Sequence, residues 1–175
     1  MPTTIITGCT SGIGLEVAKE LAKKNHRLIL VSRNMSKLEF TKKILESGNK
    51  INCDIYEHDL SLIRENIIFF KEVSKKYDGI DFLINNVGAI FMNREETTEG
   101  LEKTFSLNHM SYFILSKLFS QQERPLKIIN VSSEAHRNIK LDYDDLENKN
   151  NYNGWYSYKK SKLANIYLTY EHHKR

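Results

Sequence analysis

Tyr158 and Lys162 stand four residues apart in Tyr158-Lys159-Lys160-Ser161-Lys162. At that spacing two side chains share one face of a helix. A phenol is a poor acid–base at neutral pH, with an ordinary pKa of about 10. A nearby ammonium favours the phenolate and makes the hydroxyl a better proton donor and acceptor. Tyr156 and Lys160 form a second pair at the same spacing, and alone such pairs are ordinary surface neighbours. What gives one of them chemical meaning is company. Ser133, at the end of an apolar run, carries a hydroxyl that can hydrogen-bond a substrate oxygen as charge develops on it. Near the N-terminus, Thr7-Gly8-Cys9-Thr10-Ser11-Gly12-Ile13-Gly14 has the makings of a phosphate loop. Gly8 permits the tight turn, Gly12 lets backbone approach a pyrophosphate, and Gly14 allows close packing of a helix on a strand. The following helix supplies N–H groups and partial positive charge to the phosphates.

A second run, Arg27 to Ser32, continues into Arg33 and Asn34. A site for NAD carries a carboxylate at this point, to hold the ribose 2′-hydroxyl. Ser32 and Arg33 stand there instead. A guanidinium suits a 2′-phosphate, so NADP (NADPH) is favoured over NAD. The plainer alternative is that Arg33 is a solvated loop residue.

Elements must hold these residues in place. Short β-branched runs predict strands at Thr3–Thr7, Arg27–Ser32, Lys50–Glu57, Ile80–Asn85 and Leu126–Val131. Amphipathic stretches predict helices at Gly12–Lys24, Ser36–Glu46, Leu62–Tyr77 and Glu99–Gln122, and a last helix starts near Trp155. The residues 134–154 show no core periodicity and read as a long loop with a short turn at Leu141–Leu146. Strands alternating with helices predict βαβ units, and right-handed crossovers favour a doubly wound parallel sheet of order 3-2-1-4-5. Phe69, Phe70 and Phe105 read as core, Cys9 as a small loop residue, and His172-His173 as a solvated helix end.

Four further motifs extend the loop and the Tyr-Lys pair, and in this order the whole resembles the short-chain dehydrogenase/reductase family. They are Asp59-Leu60 after the third strand, Asn85-Asn86-Val87-Gly88 after the fourth, Asn108 in the long helix, and Val131-Ser132-Ser133 after the fifth. Val87 replaces the Ala of the family's Asn-Asn-Ala-Gly. The resemblance implies a Rossmann-type fold in which residues 1–175 form a single cofactor-binding and catalytic domain. It implies hydride transfer between a nicotinamide and a carbonyl or alcohol substrate, with Tyr158 as proton donor or acceptor. It also implies that Asp59 contacts the adenine, that Lys162 holds the nicotinamide ribose, and that Asn108 anchors a water linking Lys162 to solvent. The expected cofactor contacts are Thr7, Gly8, Thr10, Ser11, Gly12, Ile13, Gly14, Ser32, Arg33, Asp59, Leu60, Asn85, Asn86, Gly88, Val131, Tyr158 and Lys162. Ser161-Lys162-Leu163-Ala164-Asn165 continues the family pattern and selects Tyr158 over Tyr156. Together with Glu134-Ala135-His136-Arg137 and Tyr152-Asn153-Gly154-Trp155, it is similar to the retinol dehydrogenase and protochlorophyllide reductase branch.

The resemblance further implies more chain after the Tyr-Lys helix, bearing two more strands and most of a hydrophobic substrate pocket. Residues 1–175 are therefore expected to be C-terminally incomplete, with the fifth strand left as an open edge. A second reading is an inactive remnant that binds nucleotide or a partner subunit without turnover. A third, a sugar-nucleotide epimerase, fits less well because its loop has the spacing Gly-x-x-Gly-x-x-Gly. Charge adds little: 26 basic and 22 acidic residues are spread along the chain, which gives no argument for nucleic acid. No apolar run is long enough for a membrane span. Two cysteines imply no disulfide framework, the histidines have no metal-ligand spacing, and a cytoplasmic location is expected. Oligomeric state stays open.

Overall fold

The structure is a computed structural model that describes residues 1–174. Its frame is a five-stranded parallel sheet in the order β3-β2-β1-β4-β5, as expected. The strands are β1 (Thr3–Thr7), β2 (Arg27–Ser32), β3 (Cys53–Glu57), β4 (Phe82–Asn85) and β5 (Lys127–Asn130). Helices α1 (Gly12–Lys23), α2 (Met35–Glu46), α3 (Ile63–Lys76), α4 (Lys103–Phe105), α5 (Ser111–Phe119) and α6 (Gly154–His173) lie between and after them. The strand order reverses at β1, so α1 and α2 cover one face of the sheet and α3 and α5 the other.

Adjacent residues of one strand serve the two faces, because side chains alternate along an extended chain. Ile5 packs with Ile29, Val31, Phe69, Leu83 and Leu115, under α3 and α5. Its neighbour Ile6 packs with Leu28, Leu30, Ala18, Leu38 and Ile84, under α1 and α2. Both cysteines are buried and unpaired, and burial pushes each thiol up to about 12. Phe69 is buried, whereas Phe70 and Phe105 are only half-buried. Phe105 packs instead against the His109 ring. Of the histidines expected at a solvated helix end, His173 is exposed, but His172 is half-buried, a correction for that residue.

Three strands are shorter than predicted. Ile51, Ile80 and Leu126 contribute to the core from outside the ladder, so apolar character outruns strand pairing. The larger correction concerns the predicted helix Glu99–Gln122. Residues 96–102 instead form a turn in which Thr97 N–H donates to the Leu101 carbonyl at 2.8 Å. The Glu99 carboxylate leaves this segment to accept from the N–H groups of Ile63 and Arg64, at the start of α3. Helix begins only at Lys103, where the fully buried Glu102 carboxylate accepts from Thr104 and Phe105 N–H. It then loosens into one π-turn, Ser106–Met110, before α5.

Among the described residues, no helix is long and apolar enough to cross a membrane, and no group of His, Cys, Asp or Glu could hold a metal ion.

Candidate active site

A cleft of about 830 Å³ runs along the C-terminal ends of the strands. One end lies between the β1–α1 loop, the end of β2 and His58–Leu60. The other is bounded by Val131–Ser133, Tyr158 and Lys162.

The loop end is shaped by backbone. Gly8 and Gly12 have φ of 66° and 52°, values that favour glycine. A Cβ on Gly8 would lie 2.8 Å from Val87 Cα, whereas a Cβ on Gly12 would project into open space. Gly14 is buried where a side chain would strike the Gly8 carbonyl. Two neighbours lock the loop. Thr7 Oγ1 accepts from the N–H groups of Asn86 and Val87, and Asn86 Nδ2 donates to the carbonyls of Thr7 and Gly8, both at 3.0 Å. No side chain caps α1, although Asn34 caps α2 and Asn153 caps α6. The first-turn N–H groups of α1 thus face the cleft without a carboxylate or amide to neutralise their field, which suits an anionic ligand. Arg33 and Lys37 are exposed on the cleft beside Ser32.

At the other end, α6 delivers Tyr158 and Lys162 together. Lys162 is only 3% exposed, and burial lowers its pKa to about 8. Its Nζ donates to the Val131 carbonyl at 3.0 Å and lies 5.7 Å from the centre of the Tyr158 ring and 5.4 Å from that of Tyr112. Ser133 Oγ accepts from Ala135 N–H at 3.2 Å, which leaves its own proton for another acceptor. Ser132 does not compete for that role, because its hydroxyl donates to the Lys162 carbonyl at 2.9 Å and ties β5 to α6.

Of the expected site residues, Thr10, Ser11, Ile13, Asp59, Leu60 and Gly88 line the cleft with those above. Thr7, Gly14, Asn85 and Asn108 do not. Asn85 is fully buried and donates to Ser116 and Asn130 behind the wall. Asn108, also buried, spends its side chain on structure. Its Oδ1 accepts from Ala89 N–H, and its Nδ2 donates to the Ala89 carbonyl and to Ser161 Oγ. Gly88 sits between them: a Cβ there would lie 3.3 Å from Asn108 Oδ1 and 3.4 Å from Lys162 Nζ. The π-turn turns the Asn108 carbonyl towards α6, where Asn165 Nδ2 donates to it at 2.8 Å.

Two residues of this region escape a reading by motif. Lys37 lies four residues after Arg33, on the first turn of α2, and a second cation so close to Arg33 could have signalled it. Lys160, grouped with Tyr156 as an ordinary surface pair, is 3% exposed. Its Nζ donates to the Asp145 carbonyl at 2.5 Å and to Asn148 Oδ1 at 2.9 Å, which straps residues 145–148 onto α6. Tyr156, by contrast, is 44% exposed, and Lys160 makes no contact with the cleft.

A family profile described as short chain dehydrogenase matches residues 2–143. Human retinol dehydrogenase 13 is 35% identical over 178 residues, covering 97% of this chain and 53% of that protein. Human WW domain-containing oxidoreductase is 34% identical over 183 residues, covering 98% of this chain and 44% of that protein. The chain thus spans about half the length of these relatives. A crystal structure of an uncharacterized protein from Mycobacterium paratuberculosis superposes with a TM-score of 0.88 at 30% identity, over 100% of this chain and 62% of that one. A metagenomic short-chain oxidoreductase in complex with NADP shares the fold, with a TM-score of 0.80 at 21% identity, over 99% of this chain and 74% of that one. With its Gly loop, parallel sheet and cleft arranged in this way, the chain belongs to the short-chain dehydrogenase family.

Proposed function

We propose that the chain is the cofactor-binding and catalytic part of an NADP-dependent oxidoreductase that interconverts a carbonyl compound and its alcohol. The observation that carries this reading is one continuous cleft. It has an uncapped helix N-terminus and two exposed cations at one end, and Tyr158, Lys162 and Ser133 at the other. The NADP complex of the metagenomic relative supports the same choice of cofactor.

The residues fit a dinucleotide. The α1 N-terminus with Gly12 and Ile13 would hold the pyrophosphate, Asp59 and Leu60 would border the adenine, and Arg33 would pair with a 2′-phosphate. When bound, the nicotinamide supplies or accepts the hydride at the substrate carbon. In reduction, Tyr158 O–H donates its proton to the substrate oxygen. The buried Lys162 ammonium stabilises the phenolate left behind, and Ser133 O–H hydrogen-bonds the same oxygen. Asn108 holds the Gly88–Ala89 segment against α6 and so shapes the wall of the cleft beside Lys162.

The test is a pair of single substitutions at the two tyrosines of α6 that could serve. Tyr158→Phe keeps the ring and removes the proton, so NADPH-driven reduction should fall at least about a hundredfold while NADPH still binds. Tyr156→Phe should be close to neutral. The reverse outcome would show that the wrong tyrosine has been assigned.

A further inference from the structure

Trp155 is the only tryptophan in the chain, and it stands one turn before Tyr158 on the first turn of α6. Its indole stacks on the Tyr158 ring, with centres 5.5 Å apart and planes 20° from parallel. Even so, Trp155 is 51% exposed. The stack therefore covers one face of the indole and leaves the rest of it open.

Two further exposed apolar side chains belong to the segment whose backbone meets the start of α6. Ile90 is exposed and lines the same cleft as Tyr158. Met92 is exposed as well, and its backbone abuts the start of α6: a Cβ on Gly154 would lie 2.7 Å from Met92 Cα. Tyr152 O–H donates to the Phe91 carbonyl at 2.8 Å and fixes that junction. Single exposed apolar residues are common, but exposed apolar residues on two segments that meet at Gly154, one of them stacked on the proton donor, offer a ligand surface at the rim of the cleft.

We infer that Trp155, with Ile90 and Met92, forms the substrate subsite, and that it takes a carbonyl compound bearing a planar aromatic ring next to the reacting carbon. The inference rests on the assignment of Tyr158 as proton donor. A ligand whose oxygen reaches the Tyr158 hydroxyl brings its neighbouring group close to the indole stacked on Tyr158. An aromatic ring there gains a stacked partner in addition to burial, and a saturated ring gains burial alone. The indole is held by Tyr158 before any ligand arrives, so little side-chain freedom is lost on binding.

Acetophenone and methyl cyclohexyl ketone isolate this difference, since they match in carbon number and in the position of the oxygen. Equilibrium dialysis of each against the 175-residue chain, with NADP⁺ present, reads binding without turnover. Acetophenone should bind about fivefold more tightly. Trp155→Ala should erase the preference and Trp155→Phe should retain most of it. Far-UV circular dichroism verifies that both variants are folded. Equal binding of the two ketones, no binding of either, or a preference that survives in Trp155→Ala would overturn the subsite. The Tyr158→Phe experiment stands apart from this one. Ring-selective binding lost in Trp155→Ala supports the subsite even if Tyr158→Phe leaves turnover intact. A Tyr158-dependent enzyme that does not distinguish the rings keeps the oxidoreductase and loses the subsite.

Discussion

The ammonium of Lys162 is the most perturbed group at the heart of the cleft, and its burial has a measurable consequence. Burial depresses its pKa from the usual lysine value to about 8, so the folded chain holds this proton less firmly than the unfolded chain does. Below pH 8 the buried charge costs stability in full. Between pH 8 and the ordinary lysine pKa, the folded state binds fewer protons than the unfolded one, and this group's contribution to stability rises with pH. Lys162→Met should therefore remove a pH-dependent component: the variant gains most relative to the parent below pH 8, and the difference shrinks as pH rises above it. Denaturant melts across pH 6.5–10 would show this, and a difference independent of pH would contradict it. At this scale the sequence was informative where chemistry and spacing coincide. Tyr158, Lys162, Ser133 and the glycines of the loop needed only motif and order. Lys160 was not legible, because its partners at Asp145 and Asn148 come from a loop whose path no local pattern encodes.

At the scale of elements, helices and strands followed from periodicity, but their junctions did not. The stripe of apolar residues beginning at Leu101 read as one long helix. It is interrupted because Glu99 caps α3 and Glu102 caps α4, two long-range choices that periodicity cannot register. The long loop expected at 134–154 is irregular, with bends at 143–144 and a turn at 146–147 close to the expected turn at Leu141–Leu146, and it opens on a 3-10 turn, Glu134–His136, that no pattern had indicated. Its attachments were not readable. Glu147 accepts from Glu102 N–H at 2.8 Å, Tyr152 reaches the Phe91 carbonyl, and Asn148 Nδ2 donates to Ser157 Oγ. The tightest of these junctions is Gly154, where any Cβ would collide with the Phe91 carbonyl. Gly154→Ala should destabilise the chain by about 1–3 kcal/mol, as overpacking does. It should also displace the first turn of α6, which carries Trp155 and Tyr158. Chemical denaturation would measure it, and an unchanged midpoint would show that the junction has slack.

For the molecule as a whole, βαβ alternation and right-handed crossovers favoured the doubly wound order that the sheet has. β5 pairs only with β4 among the described residues, and Ile129 on it is 42% exposed. An apolar strand edge of this kind invites pairing with another chain. The 175-residue chain, purified alone, should therefore self-associate as its concentration rises, and replacing Ile129 with Lys should shift it towards monomer. Sedimentation velocity would decide between this and a concentration-independent monomer, which would remove the edge argument.

The central claim is that the cleft binds NADP through its loop and its exposed cations. Its most direct test is the affinity of the chain for NADPH and for NADH, measured side by side under one buffer and salt condition. NADPH should bind at least about tenfold more tightly, a difference of about 1.4 kcal/mol, and Arg33→Ala should narrow the gap. Equal affinities in the unaltered chain would contradict the account.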